Sequence, residues 1–102
     1  MAATPPSTVT FAIWGPIARG DLPGLRDRVC ALLSESGATF AVCDVAGVPV
    51  DAVTVDALAR LQLAARRLSC RIALRHASDH LRDLVGFMGL SDVLVLEEAP
   101  AG

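Results

Sequence analysis

The chain has 102 residues, 53% of them hydrophobic and 20% charged, with a formal net charge of −2 and a mean hydropathy of +0.51. That suffices for one compact domain with a single core and is too little for two. The apolar fraction and near-neutral charge exclude a disordered chain and a strongly basic nucleic-acid binder, and no apolar run approaches the ~18 residues of a membrane span.

Residues 1–7 lack the basic start and apolar stretch of a signal peptide and contain Pro5 and Pro6. They read as a disordered lead to a cytoplasmic domain over residues 8–97, with a tail at 98–102. Thr8–Trp14 alternates, with Val9, Phe11 and Ile13 on one face and Thr8, Thr10, Ala12 and Trp14 on the other, the pattern of a half-buried strand. Residues 17–19 suit a short edge segment. Asp21 is placed to cap a helix with Pro23 in its first turn, and Leu22, Leu25, Val29, Leu32 and Leu33 recur at helical spacing up to Gly37. Residues 38–45 form an apolar run that reads as a central strand, with Asp44 near its end.

A helix is expected over 53–68, with Leu58, Leu61, Ala65 and Leu68 as its inner stripe and Asp56 paired with Arg60. Arg66 and Arg67 in its last turn suit the helix dipole. Residues 70–76 alternate again, Ile72 and Leu74 against Arg71, Ala73 and Arg75. Ser78 then caps a helix carrying Leu81, Leu84, Val85 and Met88 and ending at Gly89. Residues 91–92 either make one more turn or lead directly into a last strand at 93–96.

This order predicts an α/β fold: a small mixed, mostly parallel sheet of four or five strands, with three or four helices packed mainly on one face. A doubly wound sheet would carry continuous apolar strands. The alternation at 8–14 and 70–76 predicts an exposed second face instead.

All nine basic residues are arginine, and alanine occurs 17 times without any Lys, Asn or Tyr, which reads as base-composition bias of a GC-rich genome. Cys30, Cys43 and Cys70 are odd in number and share no short spacing, so they read as buried free thiols in a reducing compartment. No phosphate-loop, dinucleotide or nucleophile-elbow motif is present. His76 and His80 flank the expected cap at Ser78, which puts them on different elements, and no metal or cofactor is expected. Arg71, Arg75 and Arg82 read as a solvated face.

The informative stretch runs from Val42 to Leu58. A strand ends near Asp44, a short loop follows, and a helix starts with Asp51 and Thr54 close together. Such a start either uses both residues only as caps or offers a hydroxyl whose phosphorylation would add nearly two negative charges to an apolar surface. With the element order around it, this stretch resembles a STAS domain, the family of anti-anti-sigma factors and of the cytoplasmic ends of sulfate transporters. The resemblance rests on the first strand ending at Gly15, Asp21-Leu22, Asp44-Val45-Ala46-Gly47-Val48 leading to Asp51, Ala64-Ala65-Arg66-Arg67-Leu68, and Gly89-Leu90-Ser91-Asp92-Val93-Leu94.

The resemblance implies a small sheet with helices mostly on one side. It also implies a non-enzymatic interaction module that binds an anti-sigma factor or switch kinase through Asp51, Ala52, Val53, Thr54, Val55 and Asp56. In regulatory members a Ser or Thr two positions after the loop Asp takes phosphate from a partner kinase. Here Ala52 and Val53 stand at the family's hydroxyl positions and Thr54 comes one residue later. Either Thr54 is the phosphoacceptor, from a shifted helix start, or phosphorylation does not switch the domain. A cytosolic accessory subunit of a lipid transporter is the alternative role, and a small-ligand sensor a third. No nucleic-acid partner and no membrane insertion are expected; a homodimer is compatible with the sequence.

Overall fold

The structure is a computed structural model that describes residues 8–97; the lead and tail expected at 1–7 and 98–102 lie outside the described residues. Four strands, β1 (Thr8–Trp14), β2 (Phe40–Gly47), β3 (Arg71–Arg75) and β4 (Val95–Leu96), alternate with three helices, α1 (Leu22–Ser36), α2 (Ala52–Arg67) and α3 (Asp79–Phe87). The strands form one sheet in the order β1-β2-β3-β4, and every pairing is parallel. This is the expected α/β class, with its mostly parallel sheet wholly parallel among the described residues.

The strand order fixes where the helices go. Parallel crossovers are right-handed almost without exception, so an order that steps in one direction across the sheet returns each helix on the same face. One core follows from this. Ile13, Cys43, Val45, Ile72 and Leu74 of the sheet pack with Val29 and Leu33 of α1, Val55, Leu58, Leu61 and Ala65 of α2, and Leu81 and Val85 of α3. The second face carries Thr8, Thr10, Ala12 and Trp14 exposed on β1 and Arg71 exposed on β3. Only Val42 and Ala73, at the middle of this face, are buried.

Four details differ from the sequence reading. Residues 17–19 form no strand: Ile17 tucks into the core and Arg19–Asp21 is a 3-10 turn. Asp21 stands at the helix start but does not cap it with its side chain; its carboxylate turns back to accept from the Ala18 N–H at 3.1 Å. Leu68, the last member of the expected α2 stripe, is 39% exposed, because α2 ends at Arg67 and Leu68 leaves the helical path. Residues 91–92 make the extra turn, and the strand after it keeps only Val95–Leu96.

The shortness of β4 has a counterpart in α2. β4 pairs with β3 only at Ala73 and Leu74, which leaves the backbone of Ile72 beyond its reach. Gln62, 1% exposed, completes it. Its Oε1 accepts from the Ile72 N–H at 2.9 Å, and its Nε2 donates to the Ile72 carbonyl at 2.9 Å and to the Val93 carbonyl at 3.3 Å. A side-chain amide thus stands in for a strand peptide group. Buried backbone groups are almost never left unpaired.

Candidate functional site

In a parallel sheet the strands end together, and the loops at their C-terminal edge are the part a scaffold presents. Here β1 and β2 run out side by side, and the Gly15 N–H donates to the Gly47 carbonyl at 3.0 Å. Trp14 lies across Gly47: a Cβ on that glycine would stand 2.6 Å from the indole Cε3. The indole packs on bare backbone from one side and is otherwise open, leaving Trp14 77% exposed. Val50, three residues beyond Gly47 along the chain, is 43% exposed.

The start of α2 follows at once. Asp51 has extended backbone and its carboxylate accepts from the Thr54 N–H at 2.7 Å, while the Asp51 carbonyl takes the first helical bond from Val55 at 3.1 Å. This is an N-cap of the preferred chemistry. Once the cap sets the helix phase, the faces follow at 100° per residue. Asp51 and Ala52 are exposed, and Val53 and Asp56 are half-buried. Thr54 and Val55 are both 0% exposed. Val55 therefore belongs to the core rather than to a surface. The Thr54 hydroxyl is buried without a hydrogen-bond partner among the described residues. The hydroxyl is closed to solvent as long as the start of α2 stays formed. Asp56 forms the expected bond with Arg60, at 2.9 Å.

A second set of charges sits on the open face at the same edge. Asp44 accepts from the Ala46 N–H at 2.9 Å and faces His76 Nδ1 at 3.1 Å. The Ala46 N–H first, and then His76, hold the Asp44 carboxyl below its ordinary range. His76 makes this contact from a left-handed backbone conformation, φ +63°, uncommon for a residue with a side chain. Arg75 and Arg82 do not form a free anion patch, since both engage Glu97, through its carboxylate at 3.2 Å and its carbonyl at 3.3 Å. Nothing in the local sequence signals this, as 22 residues separate Arg75 from Glu97.

His76 and His80 stand on different elements, and no group of three or more His, Cys, Asp or Glu side chains that could hold a metal occurs among the described residues. The cysteines are free. Burial, followed by the neighbouring Asp44 charge, pushes the Cys43 thiol up to about 12, and burial raises Cys70 as well. These are poor nucleophiles. What the edge offers is a surface: an open aromatic ring, an exposed valine and a capped helix start. No helix of the described residues is long and apolar enough to cross a membrane.

The parallel sheet, the helices on one face and the capped helix start at the strand ends define a STAS-like fold. No family model matches the sequence, and neither does any curated protein. Among solved structures, that of the anti-sigma factor antagonist SpoIIAA in its unphosphorylated form matches 95% of this chain and 85% of its own, with a TM-score of 0.63 and 14% sequence identity.

Proposed function

We propose that this chain is a non-enzymatic protein-interaction module, an anti-sigma factor antagonist-like regulator that docks on an anti-sigma factor or switch kinase through the C-terminal edge of its sheet. The observation that carries the reading is Trp14, an indole 77% exposed and seated on Gly47, a few residues from the exposed Val50, Asp51 and Ala52. Tryptophan is among the residue types enriched at the hot spots of protein interfaces. The docking surface is thus Trp14, Val50, Asp51 and Ala52, with Val53 and Asp56 at its margin, while Thr54 and Val55 support it from within. The likeness to an anti-sigma factor antagonist supports the class of partner. The sealed hydroxyl of Thr54 supports a surface that is not switched by phosphorylation at that residue.

The test is affinity capture from the native host with the wild-type chain and with Trp14→Ala, followed by identification of the captured protein. An ATP-binding anti-sigma factor or switch kinase, bound by the wild type and lost by at least ~10-fold in Trp14→Ala, is the expected result. Capture of a transport ATPase or permease would replace this reading with the transporter-subunit role, and undiminished capture by Trp14→Ala would remove the proposed surface.

A further inference from the structure

Leu63 is not a core residue. α2 turns Leu58, Leu61 and Ala65 inward, while Leu63 stands on its outer side, 50% exposed. At 100° per residue, Arg60, Leu63 and Arg67 share one outer stripe of that helix. Between this stripe and the first turns of α1 runs an open groove of about 270 Å³. Its apolar lining includes the buried Leu61, the half-buried Leu25 and Leu63, and its charges are Arg26, Arg60 and Arg67, all exposed. No Asp or Glu lines it among the described residues. A chain of net charge −2 thus collects three of its nine basic residues in one groove.

These charges are available to a partner. Arg26 lies 3.8 Å from Asp27 and Arg60 lies 2.9 Å from Asp56; both pairs are open to solvent, where such contacts are weakly held. The Arg67 guanidinium has no hydrogen bond or ion pair among the described residues.

We propose that this groove docks an acidic amphipathic helix of a partner protein. Its apolar side chains would lie against Leu25, Leu61 and Leu63, and its carboxylates on Arg60 and Arg67. The spacing is one that a helix supplies. Arg60 and Arg67 are separated by ~10.5 Å along α2, about two turns, so carboxylates seven residues apart on a helix laid beside it reach both. Recognition of a helix in a groove uses such i, i+3/i+4 and i+7 anchors, and arginine binds carboxylates through paired N–H groups. The volume suits a few aliphatic side chains and falls below the ~300 Å³ at which small-molecule pockets begin. No aromatic side chain lines the groove to stack a nucleobase. None of its lining residues belongs to the surface around Trp14, so the two surfaces are tested separately.

The probe is a fluorescein-labelled, alanine-based helical peptide with leucines at i, i+3, i+4 and i+7, flanked by glutamates seven residues apart. Its control carries lysines in place of the glutamates. Fluorescence anisotropy with the full chain should show the acidic peptide bound ~10-fold or more tighter than the control, and weakening as salt screens the exposed charges. Amide chemical-shift changes should fall on residues 22–26 and 57–67. Arg67→Glu, at an exposed position, should weaken binding by ~10-fold or more, while Trp14→Ala leaves it unchanged. Should Arg67→Glu fail to fold, Arg67→Gln takes its place, with an expected loss of ~3-fold or more. Phosphatidylglycerol vesicles form a second arm: vesicle binding that the Arg67 variant abolishes, without binding of the peptide, would overturn the proposal in favour of a membrane surface. No binding of the acidic peptide, equal affinity for both peptides, shifts confined to other residues, or an affinity untouched by a folded Arg67 variant would also overturn it.

Discussion

Replacing Thr54 by valine should make the protein more stable. The Thr54 side chain is 0% exposed, and its hydroxyl has no hydrogen-bond partner among the described residues. A buried hydroxyl left unpaired forfeits about 1–3 kcal/mol. Valine keeps the branched shape and volume and removes the oxygen. The cap is unaffected, because Asp51 bonds the backbone N–H of residue 54. The two residues have similar helix propensity. The expected gain is about 1–2 kcal/mol, or ~5–10 °C in Tm for a domain of this size. Thr54→Ser is the control: it retains the hydroxyl, deletes a buried methyl and should lose about 1 kcal/mol. Thr54→Glu, the usual imitation of phosphate, buries a charge and should cost more than ~3 kcal/mol. Thermal and urea unfolding followed by circular dichroism measure all three. A valine variant no more stable than the wild type would refute the reasoning by showing that the hydroxyl is satisfied in solution, and a serine variant equal to the wild type would show that the methyl makes no buried contact.

Gln62→Leu should lose about 3 kcal/mol or more despite being apolar, because it strands the buried N–H and carbonyl of Ile72; urea unfolding reads this directly. Asp44 contributes in the sense its lowered pKa dictates: the stabilisation is full above the unfolded aspartate value of about 3.9 and drains away as pH falls through the lower folded value. Asp44→Asn should therefore be less stable than the wild type at neutral pH and converge with it in strong acid, as Tm measured against pH will show. In the native protein at pH 8, iodoacetamide should modify Cys30, which is partly exposed, and spare Cys43, whose thiol ionises only near 12. Equal labelling of the two by mass spectrometry would contradict the burial of β2.

Much of this fold was legible because period and punctuation agreed. The alternation of Thr8–Trp14 placed Val9, Phe11 and Ile13 inward and Trp14 outward, and the structure keeps that division. Asp51 ahead of an apolar run announced the start of α2, and the Asp56–Arg60 spacing its ion pair. What escaped depends on the third dimension. Gln62 stands four residues after Leu58, a polar interruption of an apolar stripe, but its purpose appears only once β4 proves too short to pair Ile72. Glu97 gathers Arg75 and Arg82 across the fold rather than along it. Thr54 turned inward because Asp51 caps the helix from extended backbone and so fixes the phase of the residues behind it. The Asp21 carboxylate bonds the Ala18 N–H across the tight turn before α1 and leaves the first turn of the helix without a side-chain cap.

The one-way strand order β1-β2-β3-β4 also governs how the molecule is put together. No strand is inserted between two that precede it in the chain, so each β-α-β unit is complete before the next is needed. A chain that folds in the direction of synthesis therefore meets no strand that must be inserted afterwards. Little long-range closure is deferred to the end, which favours rapid folding for a parallel sheet. β4 is the smallest member: it adds two residues to the sheet, and beside it the Ile72 backbone is paired by Gln62 rather than by β4. Loss of β4 should thus be the lowest-energy opening of the native state, visible as early amide exchange at Val95 and Leu96 while β2 and β3 remain protected.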